Sequence, residues 1–196
     1  MKRSDINKIR RSIEKKLDAK RYEHTLGVSF TAAALAMSHG ADIRKAQLAG
    51  LLHDCAKCVE NKKKIAICEK HNIEITNIER KNPYLLHAKV GGYIAMNKYN
   101  IVDEDIIQAI LNHTTGRPAM SLLEKIIYVA DYIEPLRLKA PNLSLIRKEA
   151  FKDIDKALML ILKDDLAYLE SLKSDVDPKT KKTYEYYVKG IMKLNE

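Results

Sequence analysis

Apolar residues recur along the chain at spacings of three and four, and no stretch alternates with period two over a strand's length, so the pattern predicts helices throughout. Ser4 and Asp5 mark a first start, with Ile6, Ile9, Ile13 and Leu17 forming the apolar stripe that follows. A second helix spans about 19–38 and stops at Gly40, the residue type that best accepts the left-handed backbone beyond a helix end. Asp42 caps a third helix that reaches about Cys55, and its stretch 49–52 is apolar on every side, which predicts a buried central element. Further helices are predicted at about 61–71, 84–99, 103–113, 121–134, 147–172 and 179–194. The breakers Pro83, "TTGRP" (114–118), Pro135, Pro141 and Pro178 fall between them.

The pattern shows no internal repeat and no low-complexity linker. The expectation is an all-α fold with one domain over 1–196, a motif-bearing core at about 19–137 and a helical C-terminal extension at about 142–194. A composition of 46% hydrophobic and 31% charged residues is ordinary for a soluble globular chain. The longest mostly apolar run, near Phe30 to Met37, is too short to cross a bilayer, and "MKRSDINKIRR" lacks the apolar core of a signal peptide. A cytoplasmic protein without a membrane partner is expected. Three cysteines make a complete disulfide framework improbable, as suits a reducing compartment. The net charge of +9 favours an anionic partner, while the lysine runs "NKKKIAICEKH" (61–71) and "KTKKT" (179–183) read as solvated faces.

Polar residues on apolar faces carry the chemistry. "AGLLHDCAKCV" (49–59) sets His53 and Asp54 directly after a buried stretch, where uncompensated burial would cost several kcal/mol. Four more such residues occur: His24 in "RYEHTLGVSF", His87 in "YLLHAKVGGYIA", His113 in "IIQAILNHTTG" and Asp131 in "IIYVADYIEP". Each alone reads as a satisfied core residue, but four histidines and two aspartates together call for a cation to organise them. Imidazole and carboxylate donors suit iron, manganese, zinc, cobalt or nickel. His24, His53, Asp54 and Asp131 would serve a first ion, and His87 and His113 would either bind a second through Asp54 or donate to substrate phosphates. His39, beside a helix end where a cation suits the dipole, and His71, in a lysine-rich segment, stay outside this set.

The order His24, His53-Asp54, Asp131 resembles the HD-domain superfamily of metal-dependent phosphohydrolases. "RYEHTLGV", "LLHDCAK", "LLHAKVGG" and "NHTTGRPAMSLLEKIIYVADYIEPLR" narrow the resemblance, from about Arg21 to Arg137, to the YqeK-type family of symmetrical bis(5′-nucleosyl)-tetraphosphatases. It implies an HD-domain helical bundle that splits diadenosine tetraphosphate, a dinucleoside polyphosphate, into two ADP. It implies iron at His24, His53, Asp54 and Asp131, with His87 and His113 at a second metal or at the phosphates, and nucleotide contacts from Arg21, Lys57, Thr114, Thr115 and Arg137. Two departures are visible. Cys55 stands where the family has an aliphatic residue, and "DPKTKKTYEYY" supplies Thr180 of an expected P-x-T run but Tyr184-Glu185 where Arg-Asn is expected.

The residues read without the resemblance point the same way. Splitting a phosphoanhydride needs hydroxide at neutral pH, which a metal supplies by lowering the pKa of water from about 15.7 towards 7. Lys57 lies about one helical turn beyond Asp54, Arg21 one turn before His24, and Arg137 just past the Asp131 helix, all suited to clamping phosphate. "HTTGRP" offers two hydroxyls and backbone N–H groups. Together with the resemblance, catalytic work is expected of Asp54, Lys57, His87 and His113, and the resemblance implies substrate contacts by Lys57, His87 and His113 with Arg21, His24, Thr114, Thr115, Asp131, Arg137 and Thr180. A nucleotidase or phosphodiesterase acting on another nucleotide would use the same site. A third alternative, a non-enzymatic RNA-binding module, would place zinc on Cys55, Cys58, Cys68 and His71, but no stacking aromatic motif accompanies them and no nucleic-acid partner is expected. Tyr184, Tyr186 and Tyr187 in the tail would either pack on the core or form a homodimer contact.

Overall fold

A computed structural model describes residues 3–171 and 177–194. They form eleven α-helices: α1 (Arg3–Glu14), α2 (Ala19–His39), α3 (Ile43–Leu52), α4 (Asn61–Lys70), α5 (Asn77–Lys81), α6 (His87–Tyr99), α7 (Glu104–Asn112), α8 (Leu122–Ile133), α9 (Leu143–Ala150), α10 (Ile154–Ser171) and α11 (Pro178–Leu194). A 3₁₀ turn at Pro83–Leu86 precedes α6, and no strand occurs among the described residues. The expected all-α architecture is what the chain adopts.

Starts and stops follow the local chemistry. Asp42 accepts hydrogen bonds from the backbone N–H of Arg44 and Lys45, Asp18 from that of Arg21 and Asp103 from that of Asp105, which satisfies donors left open at three helix starts. Ser121 and Glu124 form a capping box at α8, and Gly40 ends α2 at φ +70. Four boundaries differ from expectation. The first helix opens at Arg3, so Ser4 and Asp5 lie inside its first turn. The third stops at Leu52 rather than Cys55, because i→i+3 turns take over at Cys55 and Lys57. The expected helix 84–99 divides into the 3₁₀ turn and α6, while a capping box of Thr76 and Glu79 starts the unexpected α5. The expected helix 147–172 breaks after Ala150: Asp153 accepts from Lys156 N–H and starts α10 afresh, and residue 172 lies outside the described residues.

Helices α2, α3, α7 and α8 surround the main core of Val28, Leu35, Leu51, Leu52, Ile110 and Ile127, with α10 closing one side on α8. α2 and α3 approach closely at Gly50, where a Cβ would lie 2.8 Å from Ser29 Cα. A smaller cluster of Ala56, Cys68, Leu86 and Val90 holds α4 and α6 together. In α11, Tyr187 is buried with its Oη accepting from Met120 N–H at 3.0 Å, and Tyr184 packs on the main core, whereas Tyr186 is exposed. No helix among the described residues is long and apolar enough to cross a membrane.

Candidate metal centre

The bundle brings the six His and Asp residues to one place. His24 projects from α2, His53 and Asp54 follow the end of α3, His87 opens α6, His113 follows α7, and Asp131 lies on α8. Three of the rings are locked in the same way. His53 Nδ1 donates to Gly50 O, His87 Nδ1 to Tyr84 O and His113 Nδ1 to Ile110 O, each at 2.7 Å. An imidazole that donates from Nδ1 presents a bare lone pair at Nε2. These lone pairs converge on carboxylate oxygen: His53 Nε2 is 3.6 Å from Asp54 Oδ2, while His87 and His113 Nε2 are 3.3 and 3.5 Å from Asp54 Oδ1. His87 and His113 Nε2 face each other at 3.1 Å.

Lone pairs held against carboxylate oxygens repel, and only a cation among them turns the arrangement into an attraction. His53 Nε2 and Asp54 Oδ1 are buried and have no hydrogen-bond partner. Candidate ligand atoms of His24, His53 and Asp131 lie within 4.8 Å of one another, as do those of His53, Asp54 and His113. Burial pushes His53 down to about 4 and, aided by His113 and Lys57, His87 down to about 3, so both rings are neutral at pH 7, as ligands must be. Burial would raise Asp54, but positive charge on His53, His113 and His87 once those rings take up protons holds its carboxyl well below the carboxylate range. His24 sits between Asp131 Oδ1 on Nε2 at 3.0 Å and Glu134 Oε1 on Nδ1 at 3.1 Å, and these two carboxylates overcome burial to raise its proton affinity. The donor set and the orphaned atoms fit a divalent metal, with Asp54 offering one oxygen to each side.

Cations and hydroxyls line the approach. Arg21 Nη1 donates to Asp54 Oδ2 at 2.9 Å, Lys57 Nζ donates to His87 Nε2 at 3.1 Å, and Arg137 Nη2 donates to Asp131 O at 3.1 Å. Thr114 Oγ1 lies 3.3 and 3.2 Å from the Nε2 atoms of His87 and His113. Lys57, His113, Thr114, Asp131 and Arg137 share the wall of a cavity of about 180 Å³. Thr115 instead donates to Gly116 O, and Thr180 is buried on α11; neither lines this cavity.

Three contributors escaped the sequence reading. Glu134 orients His24, and Gly27 makes room for it, since a Cβ there would lie 2.6 Å from Glu134 Oε2. Spacing held the clue: Glu134 is one helical turn beyond Asp131, and Gly27 one turn beyond His24. The third is Asp165 of α10, whose carboxyl burial raises to about 6 and which accepts from Tyr128 Oη on the cavity wall.

The zinc alternative does not assemble. Cys55 donates to Gly91 O from beneath α6, Cys58 is exposed beside Asp18, Cys68 sits in the smaller cluster, and His71 stacks on Tyr93. The candidate metal groups found among the described residues contain no cysteine. His39 Nε2 donates to Ala150 O at 2.6 Å, a structural bond between α2 and α9.

The sequence matches the HD domain family over residues 21–136. The chain belongs to the HD-domain family. This HD-domain protein is 42% identical over 180 residues to the symmetrical bis(5′-nucleosyl)-tetraphosphatase of Bacillus subtilis, an alignment covering 91% of this chain and 95% of the relative. It is 36% identical over 185 residues to the Staphylococcus aureus protein of the same name, covering 93% and 94%. It also superposes with a TM-score of 0.90 and 40% identity on the crystal structure of a predicted HD superfamily hydrolase involved in NAD metabolism from Clostridium acetobutylicum, covering 93% and 96% of the two chains. All six residues at the centre of the HD-domain protein fall inside the matched span, whereas Arg137 directly follows it and Thr180 lies well beyond.

Proposed function

We propose that this HD-domain protein is a metal-dependent hydrolase that cleaves diadenosine tetraphosphate symmetrically to two ADP. The observation that carries the reading is the convergence of imidazole Nε2 atoms on Asp54 within reach of Arg21 and Lys57. The 42% identity to a symmetrical tetraphosphatase supports the choice of substrate.

His24, His53, Asp54 and Asp131 would hold one ion, and His87 and His113 with Asp54 a second. Iron is the proposed metal, with manganese, cobalt, nickel and zinc chemically admissible for this donor set. When bound, the metal activates water at neutral pH and neutralises phosphate charge. The chain supplies the remainder. Arg21, Lys57 and Arg137 bind the tetraphosphate, with Lys57 placed to follow charge as it moves to the departing phosphate. Thr114 donates its hydroxyl from the short loop after α7. If a single ion is bound, His87 and His113 contact the phosphates directly. Burial keeps bulk water from His53 and Asp54, while Arg21, Lys57 and Arg137 reach them from the partly exposed mouth. One domain with a helical C-terminal extension, acting in the cytoplasm, completes the proposal.

Product analysis tests it. Protein incubated anaerobically with ferrous iron and diadenosine tetraphosphate is expected to give ADP alone on anion-exchange chromatography. ATP with AMP would overturn symmetric cleavage, and absence of cleavage would overturn the substrate.

A further inference from the structure

A cleft of about 430 Å³ opens between α1, α2 and α3, and its wall shares no residue with the cavity at the metal centre. Its volume lies in the range of cavities that take small-molecule ligands. Leu51, 2% exposed, forms part of its floor, and Ile6 and Leu26 pack on the main core beside it. Phe30 stands on the wall and is 56% exposed. A single exposed aromatic ring is ordinary on a protein surface and decides nothing by itself. Beside a concave apolar floor it extends the surface on which an apolar body can be buried.

The charge on this wall is one-sided. Among the described residues it carries Arg10 and Arg44 and no carboxylate. Arg10 Nε donates to Tyr22 Oη at 3.1 Å, which orients the guanidinium and leaves its terminal nitrogens for a ligand. Arg44 gives its backbone N–H to Asp42 at 2.8 Å, but no group among the described residues accepts from its guanidinium. The neighbouring cleft of about 450 Å³ shares Ile6 and Arg44 and shows the contrast. Its wall also holds Asp42 and Asp103, and Lys45 there is already paired with Asp103 at 2.8 Å. Opposite charges answer one another in that cleft, whereas the first keeps a positive field over an apolar floor.

We propose that the cleft between α1, α2 and α3 binds a small carboxylate with an apolar body, its head gripped by Arg10 and Arg44 and its chain laid on Leu26, Phe30 and Leu51. A guanidinium meets a planar carboxylate with two parallel N–H donors, so side chains alone hold the head. The first backbone donors of α3 play no part, because Asp42 already takes them. Such a ligand carries a single charge and a large apolar area, unlike the polyphosphate proposed for the metal centre.

An amide NMR titration of zinc-loaded protein tests this, with butanoate, hexanoate and octanoate as probes and octanol as the body without the head. Octanoate is expected to shift the signals of residues 26–30 and 44–51, and affinity is expected to rise about threefold with each added methylene. Octanol is expected to leave those signals in place. Two variants change exposed side chains of the wall. Arg44→Gln is expected to weaken octanoate about tenfold, and Phe30→Ser to flatten the dependence on chain length. Octanoate shifts confined to the surroundings of His53 and Asp131, affinity independent of chain length, equal shifts with octanol, or unchanged affinity in Arg44→Gln would each overturn the inference.

Discussion

His53 and Asp54 are the residues on which the proposed chemistry turns, and each keeps one buried polar atom, Nε2 and Oδ1, without a hydrogen-bond partner. Replacing either with Ala removes a donor that no neighbour replaces. His53→Ala and Asp54→Ala are expected to lose metal-dependent hydrolysis while circular dichroism stays helical; a variant with wild-type turnover would refute the assignment. Glu134 acts one step further out, through His24 Nδ1. Partners of this kind typically contribute about 10- to 100-fold in metal affinity, so Glu134→Ala is expected to weaken binding by that factor in a metal titration. An unchanged affinity would show that His24 needs no orientation.

Proton uptake is also decided residue by residue. His53 titrates near 4 and His87 near 3, against 6.5 for an unperturbed histidine. Between these values and pH 6.5 the unfolded chain binds protons that the folded chain does not, so stability is full above pH 6.5 and falls as pH drops towards 4. His24, whose pKa is raised, contributes with the opposite sign, and the lowered Asp54 and Asp131 add to the loss at still lower pH. Denaturant melts of chelator-treated protein at pH 7 and pH 5 are expected to show the lower midpoint at pH 5. The six His and Asp residues that converge were legible in the sequence because polar side chains on apolar helix faces stand out. Ring orientations were not, since they depend on carbonyls that a helix exposes only where it ends.

At the scale of elements, the contact of α2 with α3 sets the separation of His24 from His53. Gly50 makes it possible, because a Cβ there meets the Ser29 backbone rather than a side chain that can turn aside. Gly50→Ala is expected to lower stability by about 1–3 kcal/mol, read as a reduced melting temperature. A melting temperature equal to wild type would mean that the two helices can separate freely. Helix ends with strong signals, such as Asp42 and Gly40, were legible. The break between α9 and α10 was hidden because apolar spacing continues across it, and the only mark is the cap formed by Asp153. Thr76 and Glu79 were likewise passed over, because α5 spans only 5 residues and offers too little periodicity to register.

At the scale of the molecule, the net charge of +9 resolves into two populations. Most lysines lie on solvated faces, whereas Arg21, Lys57 and Arg137 gather at the centre. Charge count indicated an anion but not its place, which only the convergence of α2, α8 and the turn after α3 supplies. Steering by these cations is screened by salt, so KM for diadenosine tetraphosphate is expected to rise between low and physiological ionic strength with kcat little changed. The family and its helical bundle were readable from motifs spread over residues 21–137. The cleft between α1, α2 and α3 was not, because it exists only where three helices meet.

The proposed function depends on the centre holding metal, so iron content comes first. Wild type and a His53→Ala, Asp54→Ala double variant would be loaded anaerobically with ferrous iron, desalted, and analysed by inductively coupled plasma mass spectrometry. Wild type is expected to retain at least one iron per chain and the double variant almost none. Equal iron in both, or none in wild type, would contradict the metal centre.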